Sequence, residues 1–159
     1  MKKKNRRILH VFSWILFIIY LVVMVYFLFF SEQFGRVPSD EYHYNLEPFA
    51  EIKRYTSHIK EIGYFYVIIN LAGNIICFMP LGFVLPVLSH KKWGVFRITC
   101  ISFLASLLIE LTQLFSKLGS CDVDDIFMNT CGGLLGYILF LICNRIYHIA
   151  TRKKKTRRK

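Results

Sequence analysis

At 159 residues the chain has the length of one domain, but 55% hydrophobic residues, 16% aromatics and a mean hydropathy of +0.43 are too apolar for a protein with one water-excluded core. The composition points to a small integral membrane protein. The formal charge of +11 gathers in residues 1–7 and 145–159, flanking long apolar runs, so it is read as a topology signal and no nucleic-acid partner is expected.

The first apolar run, residues 8–30, is uncharged, and at about 1.5 Å per residue it covers roughly 34 Å, enough for a tilted span. Its apolar core is too long for a cleaved signal peptide, and no small-x-small site follows, so it is expected to stay as an anchor. Residues 31–63 form the sizeable polar segment, with six acids against four bases and a net charge of about −2, as befits the outer face of a positive-inside protein. Within it, residues 44–49 are expected against the membrane surface, and His43 and His58 are expected to be solvated.

The second span, residues 64–88, carries Asn70 and Asn74 one turn apart, then Pro80, Gly82 and Pro86. Proline removes a helix hydrogen bond and frees the carbonyl of Ile76, so a kink or break is expected near Pro80. Residues 95–115 form the third span, in which Glu110 and Gln113 share a face. A charge inside a span is costly, about 2.5–3.5 kcal/mol at its centre, so Glu110 is expected to face protein or water. The fourth span, residues 125–146, opens on Asp125 and follows an outer turn that carries Asp122 and Asp124. Asp122 or Asp124 is expected to cap it. Asp122, Asp125, Asn129, Gly132 and Gly136 recur at helical spacing, the glycines allowing close helix approach. Residues 147–159 read as a basic cytoplasmic tail. Of the five cysteines, Cys77, Cys100, Cys131 and Cys143 lie inside apolar runs, which argues against a disulfide framework. The pattern calls for no metal and no cofactor.

The fold expected is therefore all-α and membrane-integral, one domain over residues 1–159. It is a bundle of four transmembrane helices with both termini cytoplasmic, since the bases concentrate in the two terminal segments and the turn after residue 88. That topology puts Asn70, Glu110 and Asn129 roughly 6–9 Å below the outer surface, with Gln113, Asp122, Asp124 and Asp125 at the rim and Asn74 as a floor. Asn70, Asn74, Glu110, Gln113, Asp122, Asp125 and Asn129 are the residues expected to bind a ligand in one outer-leaflet polar pocket.

Four motifs in order, Asn45-Leu46-x-Pro48-Phe49, Asn70-x-x-Gly73-Asn74-x-x-x-Phe78-x-Pro80-x-Gly82, Glu110-x-x-Gln113 and Asp122-x-Asp124-Asp125-x-x-x-Asn129-x-x-Gly132-Gly133-x-x-Gly136, together resemble the VanZ-like family. The resemblance covers residues 45–137 and implies a multi-pass protein of the bacterial cell membrane. It also implies a link to resistance to teicoplanin, a glycopeptide with a lipid tail. Where family members carry an arginine before the aspartates, this chain has Gly119-Ser120. Two functions are open: a non-catalytic factor whose pocket engages membrane lipids, a lipoglycopeptide or a cell-wall precursor lipid, or a membrane enzyme using Glu110 and Asp125 as acid and base. The chain lacks a nucleophile elbow, an HExxH helix and a phosphate-cradling loop, which favours the first. Nothing in the pattern sets an oligomeric state.

Overall fold

The computed structural model describes residues 3–30, 40–89 and 93–156. In chain order the elements are α1 (Lys3–Phe29), β1 (His43–Asn45), α2 (Ala50–Ser57), α3 (Ile59–Ile62), α4 (Tyr64–Leu88), α5 (Val95–Ser116), β2 (Ser120–Asp122) and α6 (Val123–Thr156). Among the described residues, four stretches are long and apolar enough to cross a membrane: His10–Phe29, Tyr64–Leu88, Val95–Ser116 and Val123–Arg152. Large side chains such as Phe65, Phe96 and Phe115 are exposed on them. That surface suits hydrocarbon, in which only a helix or a closed barrel satisfies its own backbone. The chain is a multi-pass membrane protein.

The packing is built around α4 and α6, which make the most extensive helix pairing. Its closeness follows from missing side chains. A Cβ on Gly132 would overlap the Ile75 carbonyl, and one on Gly136 would overlap that of Met79, so the two backbones meet directly. Helix α5 lies along the other side of α6, where Ser102, Ser106, Glu110 and Gln113 form a buried polar stripe. Helix α1 packs on α4 through Phe17, Met24, Leu28, Phe78, Leu81 and Leu88. The Tyr20 hydroxyl also donates to the Cys77 carbonyl at 2.7 Å, next to the carbonyl that Pro80 leaves without its helix donor.

Two sequence expectations change. First, α4 runs without interruption through Pro80 and Pro86, so of the kink or break expected near Pro80 the break does not occur; neighbouring groups can satisfy the backbone that a proline frees. Second, the all-α description omits a parallel pair in which His43, Tyr44 and Asn45 register with Ser120, Cys121 and Asp122. Three-residue strands are too short to show an alternating pattern. Helix α6 also continues ten residues beyond 146, so residues 147–156 of the basic tail are helical, a point the expectation left open; lysine and arginine are good helix formers, and no Pro or Gly follows Gly136. The expectations for residues 1–2, 31–39, 90–92 and 157–159 lie outside the described residues.

Candidate functional site

The site is assembled where the polar segment after α1 meets the start of α6. Asp122 caps α6, its Oδ1 accepting the Asp124 backbone N–H at 2.8 Å, a side-chain replacement for a donor that the first helical turn leaves unpaired. Its other oxygen accepts from the Asn45 carboxamide at 3.1 Å, which reinforces the pairing of β1 with β2. The backbone N–H of Asp122 in turn donates to Glu110 Oε2 at 3.0 Å. Glu110 is 1% exposed, and it fixes the turn between α5 and α6 from below.

Asp124 faces the other way. Its carboxylate accepts the backbone N–H groups of Phe49 at 2.5 Å, Glu51 at 2.9 Å and Ile52 at 3.3 Å. It is the cap of α2, which has none of its own. Phe49 holds a left-handed φ of +65°, uncommon for a bulky residue. The Asp124 contact and an edge-on packing of Phe49 against Phe127, with centroids 5.8 Å apart, keep it there. This clamp holds the segment before α4 over the helices.

One residue further along α6, Asp125 Oδ1 accepts from the Asn74 carboxamide of α4. Between these polar groups and α1 lies a cavity of about 930 Å³. Its lining mixes apolar side chains, among them Val23, Met24, Phe27 and Leu28 of α1 and Ile69 and Ile76 of α4, with the polar Asn45, Glu51, Arg54, Asn74, Asp122 and Asp125. Arg54 and Glu51 form an ion pair at 2.9 Å, and the guanidinium lies 5.3 Å over the Tyr55 ring. Burial, and then the nearby Asp122 carboxylate, push Glu51 above the ordinary glutamate range, with Arg54 opposing them. Tyr55 is raised for similar reasons, burial first and the Glu51 charge second.

Of the seven residues expected to bind, Asn70, Asn74, Asp122 and Asp125 line this cavity, and Glu110, Gln113 and Asn129 do not. Asn70 also donates to the Tyr66 carbonyl at 2.8 Å, within its own helix. Gln113 donates to the Leu28 carbonyl at 2.8 Å, satisfying the end of α1. Asn129 donates to Ser106 at 2.9 Å, against α5. The seven residues therefore divide between the cavity and the contacts that α5 makes with α1 and α6, and do not all line one pocket. Glu51, Arg54 and Tyr55 were not anticipated, because α2 carries no cap of its own and its partner lies 73 residues away. Among the described residues, no three His, Cys, Asp or Glu side chains converge as a metal ion requires.

Residues 17–144 match the family described as VanZ/LLP1, a span that contains every residue of the cavity. Protein VanZ of Enterococcus faecium is 29% identical to this chain over 130 residues, which are 80% of this chain and 72% of that protein. No solved structure matches the chain. Since the match takes in both helices of the α4–α6 core and the whole clamp above them, the chain belongs to the VanZ/LLP1 family.

Proposed function

We propose that this chain contributes to resistance against teicoplanin-type lipoglycopeptides, and that its cavity engages an amphiphile in the outer leaflet of the bacterial cell membrane. The amphiphile is either the antibiotic or a cell-wall precursor lipid. The observation that carries this reading is the mixed apolar and polar lining. Val23, Phe27, Ile69 and Ile76 suit an alkyl chain, while Asn45, Asn74, Asp122 and Asp125 suit a polar head. Concentration of bases in the two termini and in the turn after residue 88 supports cytoplasmic ends, which puts the clamp outside. A kink at Pro80, which lines the cavity beside Cys77, belongs to the same reading, since it lets α4 bend away from α1 when a ligand enters. The acid–base alternative has less support, because Glu110 is engaged by the Asp122 backbone and is absent from the cavity wall.

The test is drug susceptibility in a sensitive host. Asp125→Asn and Asn74→Ala are expected to reach the membrane in normal amount yet lose protection against teicoplanin, with vancomycin, which has no lipid tail, little affected. Full protection in both variants removes the cavity as the active feature. Cysteine labelling at positions 40 and 91 checks the orientation, with outside and inside labelling expected respectively.

A further inference from the structure

We propose that the head group taken by this cavity is a protonated amine, so that its ligands are ammonium-bearing amphiphiles; the inference rests on the amphiphile reading above. The formal charge of the lining is negative, three carboxylates against one guanidinium, beside the neutral donors of Tyr20, Tyr44, Tyr55, Ser120 and His43. Glu51, Asp122 and Asp125 face the cavity, and among the described lining residues Arg54 is the one Lys or Arg. That guanidinium is already held by Glu51 at 2.9 Å and laid over Tyr55.

The carboxamides do not reverse the balance. Asn45 donates to Asp122, Asn74 to Asp125 and Asn70 to the Tyr66 carbonyl, so each directs an N–H at the protein. The Asp122 carboxylate receives two named donors, from Asp124 and Asn45, out of about four lone-pair positions. A head group that donates hydrogens and carries positive charge therefore matches the charge of this lining best. An ammonium supplies three donors and no acceptor, and its charge compensates the carboxylates in a low-dielectric setting where charge interactions are strong. A phosphate would meet like charge. A sugar supplies hydroxyl donors without the charge.

The experiment uses the full-length protein in nanodiscs of zwitterionic phosphatidylcholine at pH 7, titrated with dodecylamine, dodecyl phosphate and dodecyl glucoside, with empty discs subtracted. Saturable binding of dodecylamine about tenfold or more tighter than either other probe is expected, falling about tenfold in Asp125→Asn. Tighter binding of the phosphate or the glucoside, or equal binding of all three, overturns the amine assignment and leaves the amphiphile cavity standing. If none of the three binds the folded protein saturably, both readings fall. Adding phosphatidylethanolamine to the disc separates two sources of amine. Competition with dodecylamine marks a bilayer lipid, its absence marks an amphiphile arriving from water, and the amine assignment holds in both cases.

Discussion

Asp124 and Glu51 are joined across 73 residues, the aspartate carboxylate accepting the backbone N–H of the glutamate at 2.9 Å. The same carboxylate holds Phe49 and Ile52, so a residue in the first turn of α6 caps a helix that comes before α4. Asp122 caps α6 itself. Two aspartates two positions apart thus fasten opposite elements. Both fastenings stand at the rim of the cavity, and its shape depends on them.

Replacing Asp124 by Ala removes all three contacts to the start of α2 at once. A lost cap costs about 1 kcal/mol, and hydrogen bonds to a charged group contribute roughly 1.5–3 kcal/mol. Faster amide exchange in residues 49–57 is expected, with α4 and α6 protected as in the parent protein. Unchanged exchange at Glu51 and Ile52 would show that α2 is held by something other than this carboxylate.

Gly136 and Gly73 respond in opposite ways to alanine. At Gly136 a new methyl group meets the Met79 carbonyl, and the helices must separate, at a cost of about 1–3 kcal/mol. At Gly73 nothing lies within 4 Å of the added Cβ, so Gly73→Ala is expected to be neutral or to stabilise by up to about 1 kcal/mol through helix propensity. Thermal unfolding in one detergent compares the pair directly. Equal effects would contradict the close α4–α6 crossing.

The spans were legible because an uninterrupted apolar run of this length fits a membrane crossing and little else. The start of α6 was legible too, since Asp122 and Asp125 combine helical spacing with capping chemistry. What spacing does not give is the neighbour that each face meets. Asp125, Gly132 and Gly136 turn to α4, whereas Asn129 and Gly133 turn to α5, a division of about one residue step around the helix. Glu110 was expected beside Asp125 in the pocket, but its nearest obligation is a backbone N–H twelve positions on. The Arg54–Glu51 pair was hidden by its helix: 8 residues are too few to stand alone, and the cap that holds them is remote.

Glu51 makes stability depend on pH. Its folded-state pKa lies above the ordinary value because burial and the Asp122 carboxylate disfavour the charged form. A raised pKa means that the folded state binds the proton more tightly than the unfolded state, so this contribution is present below the unfolded glutamate pKa and is lost as pH rises through the folded one. Glu51→Gln is expected to match the parent protein near pH 4 and to gain in relative melting temperature from there toward pH 7. A difference that shrinks as pH rises would reverse the sign of the charge interaction at the cavity mouth.

Cys121 reports on the same negative field from the other side of the strand pair. Burial raises its thiol pKa first, and the charges of Glu110, Asp122 and Asp125 raise it further. The thiolate is the reactive form, so alkylation of Cys121 at pH 7 is expected to be slow and to accelerate only above the ordinary thiol range of about 8.5. Glu110→Gln keeps an acceptor for the Asp122 N–H while removing one negative charge, and it should move the reactive range downward. Iodoacetamide labelling across pH, read at the Cys121 peptide by mass spectrometry, measures both effects. Labelling of the parent protein at pH 7 as fast as a free thiol, or no shift in Glu110→Gln, would show that the carboxylates beneath the cavity do not act together on this strand.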